Sequence, residues 1–210
     1  MKRRKALKNI GLSFGAITMS TTVASLLQSC STGASWSPYF FSEEEAELMA
    51  KTLDIILPTT PNIPGANELN LTQFIDGYVN VVASLNEKEA FKEGIVQYLS
   101  TTLEATGKRD VAALTTEEID GRLTYYLKAD GSQQQAWDKE VTNTLAEVGS
   151  TPSSDAVNYS VLKSIRSRGI SAFKISKEVG ENVLAYDPVP GQQIGCVDLQ
   201  EVTQGKAWSL

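Results

Sequence analysis

The chain has 210 residues, 41% of them hydrophobic, and sets 25 acids against 19 cations for a net charge of −6. That length supports one cored domain, and the acidic balance opposes nucleic-acid binding, which needs clustered Lys and Arg to displace counterions. There is no histidine, which excludes the usual general base at neutral pH, Ser-His and Cys-His nucleophile pairs, and imidazole metal sites.

The N-terminus runs against the overall charge. "MKRRKALK" places Lys2, Arg3, Arg4, Lys5 and Lys8 in the first eight residues, and a mildly apolar stretch over residues 10–27 follows. A charged n-region, an apolar h-region and a small residue before a cleavage point make a secretory signal. Six Ser or Thr and two Gly interrupt the stretch, which argues against a membrane-spanning helix. Leu27-Gln28-Ser29-Cys30 resembles a bacterial lipobox, making Cys30 the lipidation site and first mature residue. Arg3 and Arg4 in "RRKALK" resemble the twin-arginine export signal; a plain basic n-region for the general secretory route is the alternative. Residues 1–30 are therefore read as signal, 31–41 as tether and 42–210 as the domain, with order starting near residues 36–41. Loss of the signal removes five of the 19 cations and leaves a net charge of −11. Such a surface repels anionic headgroups, so attachment rests on the lipid, at roughly 0.8 kcal/mol per buried CH₂. The expected location is periplasmic, lipid-anchored to a membrane. Once Cys30 is acylated, Cys196 has no disulfide partner and is expected as a small buried apolar residue.

"SEEEAELMAKTLDIILP" predicts a first helix. Ser42 and Glu45 form a capping box, Ala46, Met49, Leu53 and Ile56 make the apolar stripe, and Pro58 ends it. A stiff loop with Pro58, Pro61, Pro64 and Gly65 follows. Asn70 is expected to cap a second helix whose wide apolar face is Leu71, Phe74, Ile75, Tyr78, Val79 and Val82. The third is expected from Asn86, boxed by Glu89, with Phe91, Ile95, Tyr98, Leu99 and Leu103 inward and Gly107 as its end. The fourth starts at the Thr115–Glu118 box and buries Ile119, Leu123, Tyr126 and Leu127. A fifth spans residues 132–148 on Trp137, Val141, Leu145 and Val148. The sixth runs from about Ala156 through Leu162 and Ile165, with Gly169 expected to break or bend it before a short last helix near residues 176–184. From Tyr186 the helical period stops, predicting an extended tail with Trp208 as its anchor. The expected fold is all-α, a bundle of about five to seven helices with an extended C-terminal tail.

The remaining candidates for chemistry are carboxylates, since two of them can run glycoside hydrolysis. Glu43, Glu44 and Glu45, and Glu117, Glu118 and Asp120, each fall in a predicted first turn, where acids balance the helix dipole without any catalytic role. A lone mature cysteine holds no iron–sulfur cluster, and no phosphate-cradling glycine motif opens a helix. No catalytic, cofactor-binding or metal-binding residue is assigned to this chain.

Two blocks resemble a known family. "FFSEEEAELMAKTLDIILPTTPNIPGANELNLTQFID" is similar to the opening of the gluconate 2-dehydrogenase subunit 3 family. There an acid-led helix ends in I-[IL]-P-x-T, followed by a Pro-Gly-Ala turn and a helix beginning F-I-D. "VGENVLAYDPVPGQQIGCVDL" and "GKAWSL" resemble the same family's C-terminal tail. The loop "TTPNIPGA" departs from the family's acid-containing form, and "GISAFKISKEVG" lacks its aromatic pair. The resemblance implies a non-catalytic small subunit of a periplasmic sugar or sugar-acid dehydrogenase. Its partners would be a large FAD-dependent subunit of the glucose-methanol-choline type and a cytochrome c subunit, with FAD in the large subunit. It also implies a role in export, folding and tethering of that subunit, because the twin-arginine route moves folded cargo. Contact candidates are Pro58, Pro61, Pro64 and Gly65 in the loop, and Tyr186, Pro188, Pro190, Gly191 and Trp208 in the tail. The competing readings are segments that merely cap the bundle, or a stand-alone exported lipoprotein binding carbohydrate or peptide.

Overall fold

Three helices begin where a hydroxyl residue stands three places before a glutamate. The computed structural model describes residues 36–146, 151–189, 191 and 196–209. The expected signal, with Arg3, Arg4 and Cys30, lies outside them, as do Pro190 and Val148. The helices are α1 (Glu43–Ile56), α2 (Leu71–Val81), α3 (Leu85–Thr106), α4 (Thr116–Leu127), α5 (Gly131–Ala146) and α6 (Ser154–Ile175). A single π-turn (Val179–Val183) and a short α7 (Leu199–Thr203) follow. No sheet forms among the described residues; only two isolated bridges occur. The all-α bundle expected from the hydrophobic period is the fold.

Ser42–Glu45 and Thr115–Glu118 form the reciprocal capping boxes read from the sequence. Each satisfies two backbone N–H groups that the first helical turn leaves without partners. The third box is Ser84–Glu87, two residues before the expected Asn86–Glu89. Both frames have the spacing, and the earlier one gains half a turn of helix. Asn70 is not a side-chain cap. It sits in the left-handed region at φ 52°, a conformation Asn tolerates, and makes no capping bond. Gly107 ends α3 at φ 67°, where its missing Cβ avoids strain.

Helix α6 is central and packs against each of α1 to α5. Gly169 does not break it: the helix runs unbroken for 22 residues. A Cβ on Gly169 would lie 2.5 Å from Leu53 Cδ2, so the glycine is where α1 crosses α6 closely. The core gathers Leu48, Met49 and Leu53 of α1, Ile75 and Val79 of α2, and Ile95 and Tyr98 of α3. Ile119 and Tyr126 of α4 and Leu162 and Ile165 of α6 complete it, all fully buried or nearly so. Each contributes about 1.5–3 kcal/mol of apolar transfer energy. Trp137 fixes α5 to the bundle, its ring 5.3 Å from Tyr159 and 5.7 Å from Tyr126.

Ahead of α1, Phe41 is buried and its ring sits 5.8 Å from Phe91. The wholly buried Asp76 of α2 holds this approach in place. Its carboxylate accepts backbone N–H bonds from Tyr39 (2.8 Å), Phe40 (3.0 Å) and Phe41 (3.0 Å).

The end of the chain departs from the expected extended tail by carrying the short helix α7. Before it, the short helix expected near residues 176–184 is present over residues 177–183, its Val179–Val183 part wound as a π-turn. Asp198 caps α7 by accepting from the N–H groups of Gln200 (2.8 Å) and Glu201 (3.1 Å). Ala185 pairs in parallel with Trp208: its N–H donates to the Ala207 carbonyl (2.9 Å) and its carbonyl accepts from Ser209 N–H (2.8 Å). The tail is thus anchored through its backbone, and the Trp208 ring is half exposed. Cys196 is exposed rather than buried, because this part of the tail lies outside the bundle's core.

Candidate docking surface

The Pro-Gly loop turns back onto the end of α1. Thr60 and Ile63 exchange backbone hydrogen bonds (2.9 and 3.3 Å), and Ala66 N–H donates to the Leu57 carbonyl (2.8 Å). Pro58 and Pro61 are exposed and Pro64 is half-buried. Gly65, grouped with them on sequence grounds, is buried; a Cβ there would come within 2.5 Å of Thr59 N. Its role is to let the loop close. In the tail, Tyr186, Pro188 and Gly191 are exposed. The Ala185–Trp208 bridge brings Tyr186 and Trp208 to the same paired segment. Among the described residues no hydrogen bond joins loop to tail.

Every displaced titration has a local structural cause. Accepting the backbone N–H of Ser84 holds Glu87 below the usual carboxylate range, and that of Thr115 does the same for Glu118. Asp130 is lowered by the Ser132 hydroxyl and amide at the start of α5. Hydrogen bonding to Asp138 raises Lys163. Burial pushes the Tyr98 phenol up to about 12 and also raises Tyr126. Tyr126 is the centre of a polar knot between α3, α4 and α6. Its hydroxyl donates to Asp155 (2.9 Å) and accepts from Asn158 Nδ2 (3.0 Å) and Arg122 Nη2 (3.1 Å). Among the described residues no group of three or more Cys, Asp or Glu side chains is placed to hold a metal ion, and no helix is long and apolar enough to cross a membrane.

What the helical period misassigned is the outer side of α2. Leu71, Ile75 and Val79 face the core as expected, but Phe74, Tyr78 and Val82 are 47%, 44% and 60% exposed. Phe74 and Tyr78 stack with ring centres 6.3 Å apart, and the Arg168 guanidinium lies over Tyr78 at 6.0 Å. A cleft of about 280 Å³ opens between this face and α6. Its signal in the sequence is an apolar arc wider than one buried face needs.

The model of the family Gluconate 2-dehydrogenase subunit 3 matches residues 43–191, from the first residue of α1 into the tail. The chain belongs to the gluconate 2-dehydrogenase subunit 3 family. No curated protein and no solved structure matches the chain. The family match takes in the whole helical core, the Pro-Gly loop and both faces of α2. A member of a dehydrogenase-subunit family needs a surface for its partners, and three exposed regions are available for one: the loop, the tail, and the outer side of α2 beside α6.

Proposed function

We propose that this protein is the non-catalytic small subunit of a membrane-associated, FAD-dependent gluconate or sugar dehydrogenase complex. It binds the large flavoprotein subunit, of the glucose-methanol-choline type, assists its folding and export, and tethers it to the membrane through lipid on Cys30. A cytochrome c subunit completes the electron path. The family match over residues 43–191 carries this reading. The sequence supports it twice more: the lipobox-like "LLQSC" supplies an anchor, and Arg3-Arg4 supplies an address suited to folded, flavin-loaded cargo. The locally explained titrations of Glu87, Glu118 and Asp130 are those of helix caps and fit a scaffold.

The test is genetic and biochemical together. Deleting the gene should leave the large flavoprotein behind in the cytoplasm, and Cys30→Ala should move dehydrogenase activity from the membrane to the soluble fraction. An isolated chain that oxidises a sugar acid alone, or a flavoprotein whose location ignores both changes, overturns the reading.

A further inference from the structure

Cations are unevenly placed along this acidic chain. No Asp or Glu occurs between residues 156 and 177, whereas Lys163, Arg166, Arg168, Lys174 and Lys177 all do. On α6, residues 163, 166, 167, 170, 171 and 174 follow helical spacing along one stripe. None of the six is buried, although α6 is the central helix of the bundle. A ridge of the innermost helix is thus open to solvent, and it is cationic.

Clefts flank that ridge on both sides and share Ser167 and Ser171 as a common wall. Toward α2 lies the cleft of about 280 Å³, floored by Phe74, Tyr78 and Ile175. Toward α4 and α5 lies one of about 360 Å³, with Tyr159, Gln134 and Ile170 in its walls. Among the described residues neither cleft is lined by an acid. Asp138 pairs with Lys163 at 2.7 Å, but Arg166, Arg168 and Lys174 form no ion pair among the described residues. Two cations elsewhere are already engaged: Lys51 spans the Val111, Ala112 and Leu114 carbonyls and pairs with Glu47, and Lys92 pairs with the buried Glu45. On the α2 side the only acid, Asp76, is buried beneath Phe41, so the exposed face of that helix carries no charge. The apolar exposure continues past it through Val81, Val82 and Leu85.

We propose that the α6 ridge and its two clefts, with the outer face of α2, form the surface that grips the dehydrogenase's large subunit, through an acidic segment of that subunit carrying projecting apolar side chains. This rests on the reading of the chain as a dehydrogenase subunit. Charge complementarity selects the occupant: a cationic strip on a net-acidic protein steers an acidic partner to one face and repels it from the rest. The aromatic-walled clefts supply the desolvated pockets in which binding energy concentrates. A second copy bound two-fold would set Arg166 and Lys174 against themselves. An anionic membrane would meet the same cations but presents a flat headgroup layer to two concave clefts.

The test uses the full chain in the membrane-purified complex, identified by its flavin spectrum. A photo-crosslinking residue is placed at Tyr78 or Ser171, and in separate chains at Pro61 or Tyr186. Adducts from positions 78 and 171 to an acidic stretch of the flavin-bearing polypeptide are expected. R166E/K174E alters two exposed side chains that form no ion pair among the described residues, so its melting temperature should match the parent. It should lower flavoprotein recovery about tenfold at low salt, and R166K/K174R should restore it. Adducts to the flavoprotein from 61 or 186 alone, to a second copy, or to lipid overturn this surface while leaving the subunit reading intact. So does unchanged recovery with R166E/K174E. A preparation with no flavoprotein at all overturns the subunit reading, and with it the occupant assigned here.

Discussion

Removing the Asp76 carboxylate strips three acceptor contacts at once. Oδ2 serves Tyr39 N–H, and Oδ1 serves both Phe40 and Phe41 N–H. A hydrogen bond to a charged group contributes about 1.5–3 kcal/mol net, and a buried donor left without a partner costs a similar amount. The three are not equal. Tyr39 is 77% exposed and its N–H can turn to water, whereas Phe41 is 5% exposed and cannot. Asp76→Ala should therefore cost about 3–5 kcal/mol, most of it from Phe40 and Phe41. Asp76→Asn keeps one oxygen, which can stay with Phe40 and Phe41 while its NH₂ faces Tyr39; the loss should be about 1–2 kcal/mol. Urea unfolding gives both numbers, and amide exchange at Phe41 locates them. In the Ala variant that amide should exchange well before the core of α6 opens. If Ala costs under about 1 kcal/mol, or Asn costs as much as Ala, the three contacts are not what holds residues 39–41 to the bundle.

Gly169→Ala distinguishes two roles for that glycine by sign. Relief of a helix-breaking residue would stabilise by about 1 kcal/mol, whereas the 2.5 Å approach to the fully buried Leu53 predicts a loss of about 1–3 kcal/mol. Gly121→Ala, with open space around the new Cβ, should stabilise in the same thermal melts. Ser84→Ala should lose about 1 kcal/mol and Asn86→Ala almost nothing; the reverse order would restore the later cap. Tyr98 links stability to alkaline pH. Its phenol is raised by burial from 10.0 to about 12, so the unfolded chain releases that proton first. The Tyr98 contribution is intact below pH 10 and is lost as pH rises through 10–12, by up to roughly 2–3 kcal/mol. Tyr98→Phe should flatten the fall in stability over that window, and an unchanged slope would assign it to other groups.

The start of each helix was more legible than its surroundings. A capping box is a local device, with donor and acceptor three residues apart, so Ser42–Glu45 and Thr115–Glu118 can be read from sequence alone. Ser84–Glu87 fails only because an overlapping frame competes. Asp198 belongs to the same class: it stands three residues before Glu201 and caps α7, but one helical turn gives too little period to announce itself. Gly169 is illegible for the opposite reason. Its meaning depends on Leu53, 116 residues earlier in the chain, and local propensity reports only the cost of glycine in a helix. Asp76 is harder still, since a lone acid in an amphipathic helix resembles a solvated one until the backbone of residues 39–41 arrives beneath it.

The docking surface falls between these cases. Hydrophobic period establishes that α2 has an apolar arc, yet it cannot say how much of that arc the fold itself covers. Leu71, Ile75 and Val79 meet the core and leave Phe74, Tyr78 and Val82 without cover. Exposed aromatics alone do not specify a partner, because apolar surface has no sign. The α6 ridge supplies one. Its acid-free run from 156 to 177 is visible in the sequence, but a run of cations on a predicted core helix reads as an ordinary solvated edge. Only the packing of α2 beside α6 places Arg168 over Tyr78 and turns two ambiguous sequence signals into one surface with shape and charge. A partner selected by both has to present acids and apolar side chains together, which is a narrower requirement than either feature imposes. That requirement also predicts a salt dependence: raising ionic strength should weaken the encounter, since exposed charges are screened within about 8 Å, while the cleft contacts, being apolar, should keep their hold.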